Sequence, residues 1–173
     1  LILVPPALVS QWKEEMQIKF AVEFTTTDDP EALEDPEKFW KGKYIIASLH
    51  TAKSKRNMPL VTREFFDILV VDEAHHLRNR STLAWKLVNQ IQKKYILLLS
   101  ATPLQNNLIE LFNLITLLKP GQFKTEKLFR QEYLAKGSLR TPANKDKLRD
   151  LLREVMIRNT RSAIDLKLPR RYA

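Results

Sequence analysis

Apolar residues along this chain change their rhythm once, and the change divides it. Up to residue 107, short unbroken apolar blocks alternate with helix-length amphipathic stretches; beyond it only helical periodicity is left. Unbroken aliphatic blocks suit strands covered on both faces, as in a parallel sheet flanked by helices. Residues 1–4 form the first block, stopped by Pro5 and Pro6. Residues 43–48 (KYIIAS), 68–71 and 95–99 follow, and 21–25 is a shorter candidate strand. Between them, Leu8, Trp12, Met16 and Phe20 recur at every fourth position and predict a helix over residues 7–20. Ser81 is placed to cap a helix over residues 82–93, whose apolar stripe is Leu83, Leu87, Val88 and Ile91. Residues 26–40 are polar and acidic with two prolines, which predicts a surface excursion holding one helical turn that ends at Phe39-Trp40.

In the second part, Leu108, Leu111, Phe112, Ile115 and Leu118 make a helical stripe that ends at Lys119-Pro120-Gly121. Two more helices are predicted, over 125–135 and over 144–156, the latter turning Leu148, Leu151, Leu152 and Val155 inward.

Composition narrows the picture. The chain has 173 residues, 44% of them hydrophobic, enough for one sizeable core. A formal net charge of +9 favours an anionic partner, nucleic acid first, although a merely basic surface gives the same number. The absence of cysteine excludes disulfides and thiolate-held metal. No apolar run approaches membrane-spanning length. The chain opens on Leu1 inside a strand, without an initiator methionine or a basic leader, and this predicts a piece of a longer protein.

The block at 68–71 stops on two adjacent carboxylates, in the run Asp72-Glu73-Ala74-His75-His76. Parallel sheets present their ligands at the carboxyl ends of strands. A carboxylate there can hold hydrated magnesium, a cation that takes one or two carboxylates, several waters and the substrate's own phosphates. Asp72 suits that task, which leaves Glu73 to face the water attacking a γ-phosphate. The same letters also fit a plain strand cap. His75 and His76 do not read as a metal pair, because they are adjacent and no cysteine supports them. The block at 95–99 ends instead on small residues, Ser100-Ala101-Thr102.

A strand ending in Asp-Glu-Ala-His, followed one helix later by a strand ending in Ser-Ala-Thr, resembles the superfamily-two helicase-like ATPases. The continuation from Ser100 to Asn107 (SATPLQNN) resembles the Swi/Snf family of DNA translocases. That resemblance implies an α/β, RecA-like parallel sheet flanked by helices, a P-loop NTPase fold without its P-loop segment. Residues 1–107 would be part of the first ATPase lobe, 108–157 a helical insertion, and 158–173 a connector towards a second lobe.

By the same resemblance, ATP and magnesium are the cofactors, Asp72 anchors the metal through water, and Glu73 is the general base. His75, Ser100, Ala101, Thr102 and Gln105 couple nucleotide state to the rest of the lobe. Ser10 and Gln11, in LILVPPALVSQW, lie along a nucleic-acid strand, and Ser48, Thr51 and Lys53 form a second contact segment. The implied partner is double-stranded DNA, with a DNA-bound protein such as RNA polymerase as the object displaced, and no membrane. VMIRNTRSAIDLKLP resembles the RapA-related branch, which implies a bacterial or archaeal nucleoid; a eukaryotic relative would be nuclear.

Two other readings fit parts of the same pattern. A strand-separating DEAH-type helicase or restriction-enzyme motor uses the same chemistry, but SATPLQNN argues against it. A non-catalytic interaction module would keep the fold and lack the nucleotide site. Gly42, Gly121 and Gly137 are the only glycines and none precedes a Lys-Ser or Lys-Thr pair, so residues 1–173 alone are expected to hydrolyse no ATP.

Overall fold

A computed structural model describes residues 1–101, 107–123, 125–135 and 141–157. Five parallel strands form one sheet: β1 (Ile2–Val4), β2 (Thr25–Thr26), β3 (Ile45–Ser48), β4 (Phe65–Val71) and β5 (Gln92–Leu98), in the order β2-β3-β1-β4-β5. Strand β1 is central and short, and each of its residues is buried. Its register sets Leu3 beside Ala47 on one side and Val71 on the other.

Because side chains alternate across a strand, the sheet feeds two cores. Leu3, Ile45, Ala47, Leu69 and Val71 point into the larger one. Ile2, Val4 and Ile46 point the other way, with Val70 against them, under helix α1 (Val9–Phe20). A single helical turn, Pro6–Leu8, precedes α1, because the proline pair forces the chain to turn before it can wind fully.

The expectation that every strand is covered on both faces holds only in part. Ile68, Tyr95, Leu97 and Leu99 share the α1 side of the sheet by register, yet all four are exposed among the described residues. One helix is about 10 Å wide and strands lie nearly 5 Å apart, so α1 cannot reach beyond β4.

Several boundaries shift for local reasons. Residues 26–40 are not a surface excursion: α2 (Pro30–Glu34) and α3 (Pro36–Trp40) press Phe39 and Trp40 into the larger core. Trp40 is 1% exposed, and its indole N–H donates to Asn57 Oδ1 at 2.9 Å. Residues 49–61 hold two short helices, α4 (Leu49–Ala52) and α5 (Met58–Val61). Helix α6 spans Leu83–Gln90, capped by Thr82 rather than Ser81. It ends early because Lys93 folds back and donates to the carbonyls of Val88 and Ile91, at 2.8 and 3.0 Å. A lysine satisfying the last carbonyls of a helix ends it, and Lys93 then belongs to β5.

The helical part consists of α7 (Leu108–Leu118), α8 (Glu126–Tyr133) and α9 (Lys145–Val155), close to the predicted bounds. They enclose a separate core around Phe112, Ile115, Phe129 and Tyr133. It is tied to the α/β part through Asn113, 7% exposed, whose side-chain N–H donates to the Arg78 carbonyl at 2.7 Å. The Trp85 indole N–H donates to the Asn113 carbonyl at 3.0 Å, and the Arg80 guanidinium lies over the rings of Trp85 and Phe112. The expected connector, 158–173, lies outside the described residues.

Candidate active site

Asp72 sits one residue beyond β4, where its N–H still donates to the Leu3 carbonyl at 2.8 Å. The backbone is therefore fixed by the last rung of the sheet while the side chain leaves it. Both carboxylate oxygens are held: Oδ1 accepts from the Glu73 N–H at 2.8 Å and Oδ2 from the Trp12 indole N–H at 2.9 Å. An ionised carboxylate has about four lone-pair sites, so each oxygen retains room for a water. Among the described residues no three His, Asp or Glu side chains cluster as a metal cage. A lone, oriented carboxylate is instead what magnesium uses when waters and phosphates supply the other ligands.

Glu73 has φ 49° and ψ 48°, the left-handed region that side chains with a Cβ rarely enter. Its carboxylate lies against His75, whose Nδ1 is 2.9 Å from Glu73 Oε2. The His75 and His76 rings lie 4.1 Å apart between centroids, tilted by 39°. Burial lowers the pKa of His76, the charge of His75 lowers it further, Glu73 pulls it back up, and Lys53 lowers it again. The basic segment after β3 therefore lies in the electrostatic field of the carboxylate loop.

The two strand ends expected to communicate are in contact through the backbone. Leu99 N–H donates to the Val71 carbonyl, and Ala74 N–H donates to the Leu99 carbonyl, both at 2.8 Å. Ser100 and Ala101 follow directly and are exposed. Thr102 and Gln105 lie outside the described residues.

Of the residues assigned to nucleic acid, Ser10 and Gln11 are exposed in the first turn of α1. Thr51 and Lys53 are half-buried at the end of α4. Ser48 is 4% exposed; its hydroxyl accepts from the Thr51 N–H at 2.9 Å, and it bonds the Thr51 hydroxyl at 2.8 Å. It is the N-cap of α4. Sequence reasoning missed Asn57, whose side chain donates to the Thr51 carbonyl at 3.3 Å and to Ser54 Oγ at 3.1 Å. It also missed Trp12, read only as part of an apolar stripe. An indole in such a stripe carries an N–H that must find an acceptor once the ring is packed.

A parallel sheet that ends one strand on an oriented carboxylate pair and the next on small residues, with backbone bonds between them, is the architecture of a RecA-like, helicase-type ATPase core. The chain belongs to the SNF2-related domain family, whose match runs over residues 1–173. It is 38% identical over 173 residues to the Uncharacterized ATP-dependent helicase YqhH of Bacillus subtilis (strain 168), covering 99% of this chain and 29% of that protein. It is 27% identical over 188 residues to Chromodomain-helicase-DNA-binding protein 7 of Gallus gallus, covering 97% of this chain and 6% of that one. The fold matches the Sulfolobus solfataricus SWI2/SNF2 ATPase core in complex with dsDNA, with a TM-score of 0.78 and 21% identity over 97% of this chain and 35% of that one. The chain thus spans less than a third of the Bacillus relative.

Proposed function

We propose that this chain supplies the metal-anchoring and proton-accepting side of an ATPase site that drives movement along double-stranded DNA and displaces bound proteins. The observation that carries it is the pair of adjacent carboxylates with divergent settings. Asp72 is pinned by two N–H donors at the end of β4, whereas Glu73 has a left-handed backbone and its carboxylate lies against His75. One carboxylate that cannot move suits a metal, and one paired with an imidazole suits a proton. Bound through water to Asp72, magnesium would neutralise the phosphate oxygens as charge develops on them. Glu73 would accept the proton of the attacking water, with His75 holding the carboxylate in place.

DNA as partner draws support from the net charge of +9, from the exposed Ser10 and Gln11, and from the name of the Sulfolobus neighbour. Thr51 and Lys53 would meet backbone phosphates beside them, while Ser100, Thr102 and Gln105 would pass nucleotide state onward. Residues 1–173 have no glycine before a Lys-Ser or Lys-Thr pair, so hydrolysis requires a phosphate cradle from elsewhere in the intact protein. The test is an ATPase assay on the intact protein with duplex DNA, single-stranded DNA and RNA as rival stimulants. Duplex DNA is expected to stimulate most. A preference for single strands would favour the strand-separating motor, and no stimulation by any of them would refute the reading.

A further inference from the structure

Trp12 and Asp72 are sixty positions apart in sequence, yet the indole N–H of one donates to Oδ2 of the other at 2.9 Å. The ring does not swing freely. It lies among Ile2, Val4, Val9, Phe24 and Ile46 on the α1 side of the sheet, so the direction of its N–H is set by packing against β1 and β3. An indole has one donor and no acceptor, which means that it can hold only an accepting oxygen. With Oδ1 already taken by the Glu73 N–H, the second bond removes the remaining freedom of the Asp72 side chain to rotate. The directions of its unused lone pairs are then fixed.

The other end of Trp12 is equally telling. It follows Ser10 and Gln11 directly, the exposed residues of the first turn of α1. Movement of that turn therefore reaches Asp72 through one rigid side chain. Resting on the assignment of Asp72 as the magnesium anchor, we infer that Trp12 is a positioning residue: it orients the metal-holding carboxylate and links it to the DNA-facing turn of α1. Linkage makes the effect reciprocal, so magnesium–nucleotide binding should alter duplex affinity through the same indole.

The test uses the intact protein and a fluorescent ATP analogue titrated with magnesium. Trp12→Phe keeps an aromatic ring in the pocket and deletes the donor. It should raise the magnesium needed for half-maximal nucleotide binding by about tenfold, as loss of a hydrogen bond to a metal-holding group does. It should also bring duplex affinities measured with and without magnesium–nucleotide closer together. In an Asp72→Asn background, Trp12→Phe should add little, because the indole acts through that carboxylate. An unchanged magnesium requirement in Trp12→Phe, with a shifted one in Asp72→Asn, overturns this proposal and leaves the anchor assignment standing. An unchanged requirement in Asp72→Asn itself overturns the anchor assignment. Thermal melting is followed throughout, with Trp12→Tyr as a second variant; loss of fold in both makes Trp12 a packing residue and overturns the proposal.

Discussion

The Ala74 N–H donates to the Leu99 carbonyl at 2.8 Å, so the residue after the carboxylate pair is bonded to the residue before Ser100. A shift of either strand end by more than a few tenths of an ångström would stretch this bond past useful length. The carboxylate loop and the end of β5 therefore move as one piece.

The two carboxylates should fail differently when neutralised in the intact protein. Glu73→Gln should retain magnesium and nucleotide affinity and lose about 10² to 10⁴ in turnover, the usual worth of a general base. Asp72→Asn should lose nucleotide affinity together with turnover and be partly rescued by excess magnesium. Titration of both variants with magnesium and a fluorescent ATP analogue reads the difference; equal loss of affinity in the two would make the stretch structural.

Binding to duplex DNA should depend on salt and ignore sequence, since a motor that advances must hold every step alike. Lys53→Ala should weaken all duplexes uniformly and reduce the slope of log affinity against log salt by about one. Fluorescence anisotropy at several salt concentrations checks this. A strong preference for one sequence would contradict it.

Asn113→Leu should destabilise the fold by about 1–3 kcal/mol, because the Arg78 carbonyl that the side chain satisfies would lose that partner. Chemical denaturation measures the loss. The α/β and helical parts should then unfold less cooperatively, as the bond joins one to the other.

His76 makes stability depend on pH in a defined direction. Its pKa is lowered from 6.5 by burial first, then by His75 and Lys53, against the pull of Glu73. The unfolded chain thus binds the proton more readily. The contribution is fully present above pH 6.5 and is lost as pH falls through the lower folded value. Melting temperature should decline on acidification below that point, and His76→Asn should lessen the decline.

What the sequence made legible was whatever depends on neighbours in the chain. The block at 68–71 announced β4 and the position of its carboxylate terminus, and the stripe from Leu108 to Leu118 announced α7 with its bounds. What stayed hidden depends on partners far along the chain. Trp40 looked like the end of a surface turn, because the Asn57 that receives its N–H lies beyond the next strand. Lys93 looked helical, since nothing local indicates that its ammonium will turn back on the carbonyls of Val88 and Ile91. That Ser48 caps α4 went unread, because a hydroxyl that caps a helix and one placed to meet a phosphate are spelled alike.

On the role proposed for Glu73, its left-handed backbone sets stability and chemistry against each other at one position. Holding a side chain in that region costs roughly 1–2 kcal/mol. Glu73→Gly would relieve it, offset by about 0.5–1 kcal/mol of added chain entropy in the unfolded state. The glycine variant would then be at least as stable as the parent while lacking the proposed base. Selection or design for thermal tolerance alone would drift towards glycine at this position, and a hardened version of this domain should be checked there before its silence is blamed on anything else.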